Sequence, residues 1–135
     1  MVEEKMIISG KRKTAVAKLR ASPGSGKVFY NHLSSDALPL FHKLALAEPI
    51  KIYERELGEM KYDMSISTAG GGKEAQIQAA RLAMAKALVA LSGSDTLRKA
   101  YLAYDRNMLV ADSRRKEANK PGDSAPRAKR QKSYR

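Results

Sequence analysis

The stretch that decides the fold is KYDMSISTAGGGKEAQIQAARLAMAKALVAL, which occupies residues 61–91. Residues 61–68 alternate between apolar and polar side chains, which predicts a half-buried strand that turns Tyr62, Met64 and Ile66 inward. Residues 73–91 carry apolar side chains at helical spacing and many alanines, the best helix formers. The stretch therefore predicts a strand, a glycine turn and a long helix, whose apolar stripe consists of Ile77, Ala80, Met84, Leu88 and Leu91.

Residues 14–20, upstream of this stretch, alternate in the same way. Ala15, Ala17 and Leu19 share one side, whereas Lys18 and Arg20 lie on the other. A shorter strand is predicted at residues 5–9. A dense turn signal at residues 22–26 precedes a further strand at residues 27–31. We expect that strand to return beside residues 14–20 as a hairpin.

Two more helices are predicted. The first begins near Ser34 or Ser35, with Pro39 in its first turn, and Pro49 is expected to end it. Its predicted buried stripe consists of Leu38, Phe41, Leu44 and Ala45. Residues 50–60 are compatible with a strand or with an irregular connection. The last helix opens at residues 94–95 and carries Leu97, Tyr101 and Tyr104 on one side.

The order of these segments predicts a two-layer α+β fold. Its core is β-β-β-α-β-α, a mixed sheet with the helices on one face. The globular domain is expected to span residues 1–112. Residues 113–135 contain no large aliphatic side chain, so burial cannot offset the entropy of ordering them. We expect this segment to be an extended basic tail that is disordered until it meets its partner.

The excess of positive charge lies in two segments. The net charge of the chain is +12 at pH 7. Residues 10–20 contribute +5 without an acid, residues 113–135 contribute +7, and the rest of the chain is neutral. A solvated surface or a protected sheet edge normally mixes both signs. Two uncompensated blocks therefore indicate binding to a polyanion such as RNA or DNA.

Several kinds of site are not expected from the sequence. Cysteine is absent, which excludes disulfides and thiolate metal sites. His32 and His42 are interpreted as a loop residue and a helix-surface residue, so no metal site is predicted. Residues 24–27, GSGK, lack the spacing of a P-loop, and Asp63 and Asp105 are interpreted as surface or capping groups. We expect no enzyme, no cofactor, no small-molecule substrate and no membrane contact.

The glycine turn leaves two interpretations open. Gly70, Gly71 and Gly72 precede a helix whose first residue is Lys73. Free N–H groups at a helix N-terminus attract anions, and glycine lets a ligand approach the backbone closely. The ligand would then be a phosphate of a nucleotide or of an RNA backbone. Alternatively, the turn is only a tight connection and binds nothing.

Several longer segments together resemble one known family. Residues 10–20, GKRKTAVAKLR, resemble the opening strand of the ninth protein of the small ribosomal subunit, and residues 24–27 with Asn31 are similar to its hairpin. Residues 70–76, GGGKEAQ, are similar to its signature, in which Gln76 is a fixed element. Residues 112–117, DSRRKE, and residues 127–135, RAKRQKSYR, are similar to the archaeal and eukaryotic form of its tail.

The resemblance implies a non-catalytic constituent of the small ribosomal subunit in the cytoplasm. Such a protein is expected to bind ribosomal RNA in the subunit head, beside neighbouring head proteins. Its tail is expected to reach tRNA in the peptidyl site during translation, through Lys132, Ser133, Tyr134 and Arg135. The residues expected to bind ribosomal RNA are Lys11, Arg12, Lys13, Lys18, Arg20, Gly70, Gly71, Gly72, Lys73, Arg114, Arg115, Lys116, Arg127, Lys129 and Arg130.

Two other functions are alternatives to this one. A small-molecule kinase would use the glycine turn to hold ATP, but the chain is short for a kinase and lacks a metal-binding acid near the turn. A protein that compacts DNA without specificity would also be basic. The specific strand and glycine motifs argue against it.

Overall fold

One mixed sheet of five strands organises the computed structural model, which describes residues 6–122 and 125–127. The strands are β1 (Met6–Arg12), β2 (Ala15–Pro23), β3 (Val28–Tyr30), β4 (Leu33–Ser34) and β5 (Tyr62–Ala69). The α-helices are α1 (Leu40–Leu57), α2 (Lys73–Ser92) and α3 (Asp95–Tyr104). Short 3-10 helices occupy Ser35–Ala37 and Arg106–Met108. Among these described helices, none combines the length and the apolar character needed to span a membrane.

The strand order is β1-β2-β5-β3-β4, and only the pair of β3 and β5 is parallel. The predicted α+β class with a mixed sheet is therefore confirmed. The predicted hairpin of residues 14–20 with residues 27–31 is wrong, because β5 lies between β2 and β3. β5 pairs with β2 from Val16↔Ala69 to Pro23↔Tyr62, whereas β3 has only three residues to offer. A turn signal in the sequence marks a reversal of the chain but does not choose the partner of a strand.

The hairpin of the sheet is formed by β1 and β2. Arg12 pairs with Ala15, so Lys13 and Thr14 are the two central residues of the turn. Lys13 has φ 53°, in the left-handed region that residues other than glycine seldom adopt. Two-residue hairpin turns require such dihedrals because they match the twist of the strands. The turn therefore holds one basic side chain at the end of the sheet.

α2 packs directly on the inner face of β1 and β2. Its face toward the sheet is built of alanines, of which Ala79 and Ala83 are completely buried. Gly10 of β1 lies beneath them, and a Cβ placed on Gly10 would overlap the carbonyl oxygen of Ala79. Ala15 and Ala17 of β2 are equally buried, as the alternation of residues 14–20 predicts. Small side chains on both layers thus allow the helix backbone to approach the sheet backbone.

The expectation that Pro49 ends the first helix is wrong. α1 continues through Pro49 to Leu57, so residues 50–57 form neither a strand nor an irregular connection. Proline lacks the N–H that would bond to the carbonyl of Ala45. The ring of Pro49 is fully buried, however, and its carbonyl accepts a hydrogen bond of 2.7 Å from the hydroxyl of Tyr101. Contacts with α3 therefore compensate for the backbone hydrogen bond that α1 loses.

The predicted buried stripe of the first helix is also wrong. Phe41 is 81% exposed and Leu44 is 46% exposed, whereas Leu38 and Ala45 are half-buried. The residues of α1 that are buried lie nearer its C-terminus and are Leu46, Pro49, Ile52 and Tyr53. Both sets have helical spacing. The position of α2 and α3 selects one face of α1, and helical spacing alone does not identify that face.

α3 follows the prediction closely. Its N-cap is Ser94, whose hydroxyl accepts a hydrogen bond of 3.3 Å from the N–H of Leu97. Leu97 and Tyr101 are completely buried, whereas Tyr104 is exposed. Beyond the second 3-10 helix, residues 111–120 form no helix or strand. The division at residue 112 and the disorder of the free tail stay predictions.

Replacing Gly10 with alanine should destabilise the protein by about 1–3 kcal/mol, because the added methyl group forces α2 away from β1. Urea denaturation measures this change. Ser9→Ala is the matched control, since Ser9 is the exposed neighbour of Gly10 in the same strand. If Gly10→Ala were as stable as Ser9→Ala, the close contact between helix and sheet would not govern stability.

Candidate nucleic-acid interface

The glycine turn after β5 packs against the β1–β2 hairpin turn. Gly70 and Gly71 have φ of 76° and 62°, which other residues seldom adopt. A Cβ on Gly70 would lie 2.5 Å from the carbonyl oxygen of Thr14, and one on Gly71 would lie 2.9 Å from the Cβ of Ala15. The side-chain amide of Gln76 donates a hydrogen bond of 3.0 Å to the carbonyl of Gly70. Packing alone therefore requires both glycines.

The N-terminus of α2 opens beside this turn. Gly72, the N-cap, provides no side chain, and a Cβ added to it would meet no atom within 4 Å. Lys73 is exposed. Glu74, in the first helical turn, is bound at 3.0 Å by the Nε2 of His42. An anion at this end of α2 would be attracted by Lys73 and repelled by Glu74. Phosphate binding by the turn stays a prediction.

Asp112 joins the basic hairpin to the beginning of the tail. Its carboxylate forms an ion pair with the guanidinium of Arg12, at the end of β1. The same carboxylate accepts hydrogen bonds from the guanidinium of Arg114, at 2.9 Å from Nε and 2.7 Å from Nη2. It also accepts the backbone N–H of Arg114 at 2.9 Å. One acid thus holds two arginines that are 102 residues apart in the sequence.

The side chain of Asp112 is only 10% exposed. The hydrogen bonds from Arg114, followed by that from Arg12, hold the pKa of the Asp112 carboxyl well below its usual range. Asp112 in turn raises the pKa of Arg114. The carboxylate is therefore charged at neutral pH, and it offsets the repulsion between the two arginines.

Basic residues from both charged segments line one open groove. Its lining residues are Arg12, Lys13, Thr14, Arg114, Arg115 and Lys116, and its volume is about 550 Å³. The Nη1 of Arg115 donates to the carbonyls of Asp112, at 2.9 Å, and Arg114, at 3.0 Å. We call this site the turn–tail groove. The fold thus brings together two positive blocks that lie at opposite ends of the sequence.

The remaining predicted RNA-binding residues lie elsewhere. Lys18 and Arg20 are exposed on the face of the sheet opposite α2, and Lys11 lies on β1, which is an edge strand. Arg127 forms an exposed ion pair of 2.9 Å with Glu117. The predicted residues Lys129, Arg130, Lys132, Ser133, Tyr134 and Arg135 lie outside the described part of the chain.

The GSGK loop holds a carboxylate of the protein itself. The backbone N–H groups of Ser25, Gly26 and Lys27 all donate to the Oδ1 of Asp63, at 3.0 to 3.1 Å. These donors, with that of Lys27 first, lower the pKa of Asp63. The interpretation of Asp63 as a capping group is confirmed. Asp105 likewise caps the second 3-10 helix, because its carboxylate accepts the N–H of Asn107 at 2.9 Å.

Asp112 is the site residue that the sequence reading missed. In the sequence it is only the first residue of the DSRRKE motif. The local signal is the pattern Asp112-Ser113-Arg114, because an aspartate often accepts the N–H of the residue two positions later. Its bond to Arg12, by contrast, depends on the tertiary structure.

The two histidines lie on different elements. His32 is an exposed residue of the turn between β3 and β4, whereas His42 lies on α1. Among the described residues there is no cluster of metal-binding side chains.

Comparisons with known proteins identify the family of the chain. The model of the family described as "Ribosomal protein S9/S16" matches residues 10–135. A protein of Methanococcus vannielii named "Small ribosomal subunit protein uS9" is 42% identical over 129 residues, which cover 93% of this chain and 95% of the relative. A protein of the same name from Methanococcus maripaludis is 43% identical over the same shares.

The fold and the turn–tail groove define a small, basic α+β protein in which cations from two segments of the sequence line one groove. The chain belongs to the ribosomal protein S9/S16 family. It is a structural constituent of the small ribosomal subunit, which is cytoplasmic, and not an enzyme. The resemblance of the glycine signature and the tail is thereby confirmed, and the archaeal relatives agree with the archaeal form of the tail.

Replacing Asp112 with asparagine should destabilise the protein in a manner that depends on pH. Because the folded-state pKa of Asp112 is depressed, its contribution is fully present above the unfolded pKa of about 3.9 and is lost as the pH falls below it. The stability gap between wild type and Asp112→Asn should therefore be widest near pH 7 and should narrow below pH of about 4. Urea denaturation across this range measures the gap.

Glu59→Gln is the control for this experiment, since Glu59 is an exposed acid near the start of β5. Its stability should follow that of the wild type at every pH. If the difference in stability between wild type and Asp112→Asn stayed constant from pH 7 down to a pH below about 4, the assigned ion pairs would be contradicted.

Proposed function

We propose that this chain binds ribosomal RNA in the head of the small subunit through its turn–tail groove, beside neighbouring head proteins. The observation that carries the proposal is the network of Arg12, Asp112 and Arg114. Without it, the basic hairpin and the basic tail would be separate surfaces. With it, their cations face one groove.

The charges in the groove favour a polyanion. Asp112 is the one acid in the network, and it is shared by two arginines. Lys13, Arg115 and Lys116 are exposed at the same groove. An RNA backbone supplies a phosphate at every nucleotide, and neutralising phosphates releases counterions, which drives binding at moderate salt. A groove lined by side chains from a rigid turn and from the tail matches such a chain of charges.

Arginine and lysine have different parts in this groove. The guanidinium of Arg115 is already directed by two carbonyls, so its planar fork is partly oriented before RNA binds. Lys13 lies at the tip of the β1–β2 hairpin, in a left-handed backbone conformation. Preorganised groups lose less conformational entropy on binding than free side chains. The groove is therefore suited to recognise the shape of an RNA backbone and not a base sequence.

The tail carries the second half of the proposal. The network at Asp112 ties Arg114 and Arg115, the first basic residues of the tail, to the end of β1. From Ser113 to Arg135 the chain can extend about 70 Å. This reach would bring residues 132–135 to tRNA in the peptidyl site. Contacts of Arg135 with phosphates are blind to sequence, which suits a site that accepts every tRNA.

The groove can be tested by the salt dependence of RNA binding. The triple variant Lys13→Ala, Arg115→Ala, Lys116→Ala should bind a fragment of ribosomal RNA from the subunit head more weakly than wild type. The slope of log affinity against log salt should become shallower by about 0.7–0.9 for each lost phosphate contact. Fluorescence anisotropy over a series of salt concentrations measures both quantities.

The matched control is Lys51→Ala, Lys99→Ala, Lys61→Ala, which removes the same number of positive charges. Lys51 and Lys99 are exposed on α1 and α3, and Lys61 precedes β5 at the end remote from the glycine turn. The control should keep a slope close to that of wild type. Equal slopes for the two triple variants would show that net charge alone, and not the groove, determines binding.

Removing residues 132–135 should separate anchoring from tRNA contact. The truncated chain keeps the turn–tail groove, so we expect it to enter the small subunit at nearly wild-type stoichiometry. Subunits that contain it should release tRNA from the peptidyl site several-fold faster, because contacts with phosphates are lost. Purified subunits with and without the truncation are compared for protein content and for tRNA dissociation rate.

Full-length chain with Gln131→Ala serves as the control, since it alters the residue before the deletion without removing charge. A different result would refute this part of the proposal. If the truncated chain failed to enter subunits, while the few assembled subunits held tRNA normally, the tip of the tail would be an anchor for assembly.

A further inference from the structure

The face of the sheet opposite α2 is a second surface that the turn–tail groove does not use. Register defines one continuous row across all five strands of the described sheet. Its members lie side by side, from the β1 edge to the β4 edge, and are Ile7, Arg20, Ser65, Phe29 and Ser34. All five side chains are exposed. We call this surface the outer sheet face.

A second row runs parallel to the first. It joins Ser9, Lys18 and Ser67, and all three are exposed. The two rows of the outer sheet face therefore consist of serine side chains, two cations, one aromatic ring and the aliphatic side chain of Ile7. Serine side chains keep the face flat, so a ligand can lie close to the sheet.

Phe29 and Arg20 border the same shallow cleft of about 270 Å³, together with Ser65. Two strand spacings, about 10 Å, separate the backbones of Phe29 and Arg20. Phe29 is 39% exposed although it lies in the middle of a strand, so part of this residue is open to solvent. An aromatic ring on a flat sheet with cations beside it provides a stacking platform for a base and a site for its phosphate.

Asp63 is itself one of the residues that line this cleft, but its carboxylate is already engaged in hydrogen bonds. Its Oδ1 accepts three backbone N–H groups from the GSGK loop. The N–H groups of the loop partly neutralise the carboxylate of Asp63. The cations Arg20 and Lys18 lie on β2, the strand next to the one that carries Asp63. The net character of the outer sheet face is thus positive, with one aromatic contact.

We propose that the outer sheet face binds an unpaired segment of RNA, with a base stacked on Phe29 and neighbouring phosphates held by Arg20 and Lys18. This inference rests on the proposed binding of ribosomal RNA and adds a second contact to it. The turn–tail groove recognises the backbone, whereas the outer sheet face selects nucleotides that are free to unstack. Both could be engaged at once, because they lie on different parts of the molecule.

The composition of the face favours RNA over a protein partner. The core of a protein–protein interface is apolar and is depleted of lysine and serine. Here Ile7 and Phe29 are the large apolar side chains of the first row, and they are separated by Arg20 and Ser65. The cations of the face are complementary to the phosphates of RNA, and the aromatic ring of Phe29 can stack on a base.

The test compares two RNA probes with the full-length chain at one salt concentration. One probe is a short single strand of mixed sequence that cannot pair with itself, and the other is an RNA duplex of the same length. Phe29→Ala should bind the single strand about tenfold more weakly, since stacking of a base on an aromatic ring contributes about 1–3 kcal/mol. Its affinity for the duplex should stay within about twofold of wild type. Phe29→Trp should restore binding of the single strand.

Phe41→Ala is the matched control, because Phe41 is the other phenylalanine of the chain and is 81% exposed on α1. It should change neither affinity. Phe29→Leu keeps the apolar bulk of the side chain but removes the ring, so it tests stacking even if Phe29→Ala folds poorly. It should lose affinity for the single strand to a similar degree.

Unchanged affinity of Phe29→Leu for the single strand would overturn the inference, and so would an equal loss for both probes. In either case, the triple variant of Lys13, Arg115 and Lys116 reports on the turn–tail groove separately. A loss of its affinity for the duplex would support RNA binding by that groove even though the outer sheet face does not bind. Failure of the wild-type chain to bind either probe would refute both proposals. Binding of the outer sheet face to another protein would be left as the alternative.

Discussion

The contact of α2 with the inner face of β1 and β2 is the constraint on which the rest of the structure depends. It requires glycine or alanine at each point where the two backbones meet, as at Gly10 and Ala79. The connection from β5 to α2 must then be very tight, which the left-handed conformations of Gly70 and Gly71 provide. That connection packs on Thr14 and so holds the basic hairpin turn in place. Packing of small residues thus determines where the first cations of the groove lie.

Electrostatics complete the site that packing begins. The turn–tail groove gathers several cations, and these like charges repel one another. Asp112 reduces this cost because it holds Arg12 and Arg114 together and is itself stabilised as a carboxylate. Arg81 serves a comparable purpose between the helices, where its guanidinium pairs with Glu48 at 2.7 Å and with Asp105 at 3.4 Å. Asp112, Glu48 and Asp105 therefore hold arginines at definite places, while Lys13, Arg115 and Lys116 stay exposed at the groove.

The two sides of the sheet have different consequences for function. The inner side is filled by α2 and supplies stability, while its end presents the turn–tail groove. The outer side is free of helices in the described part of the chain and carries Lys18, Arg20 and Phe29. A protein built in two layers, with one sheet face left open, can contact RNA over a large area without enlarging its core.

Local patterns in the sequence were sufficient for β2, β5, α2 and α3, because alternation and helical spacing depend on neighbouring residues. The sequence also predicted the two basic segments and the start of α3 at Ser94. The tertiary structure alone decided that β5 separates β2 from β3, that α1 continues through Pro49, and that Phe41 faces outward. It also decided that Asp112 joins two arginines. The physical reason is common to these cases: pairing of strands, burial of a helix face and ion pairs across the chain are set by distant residues, whose positions a local pattern does not contain.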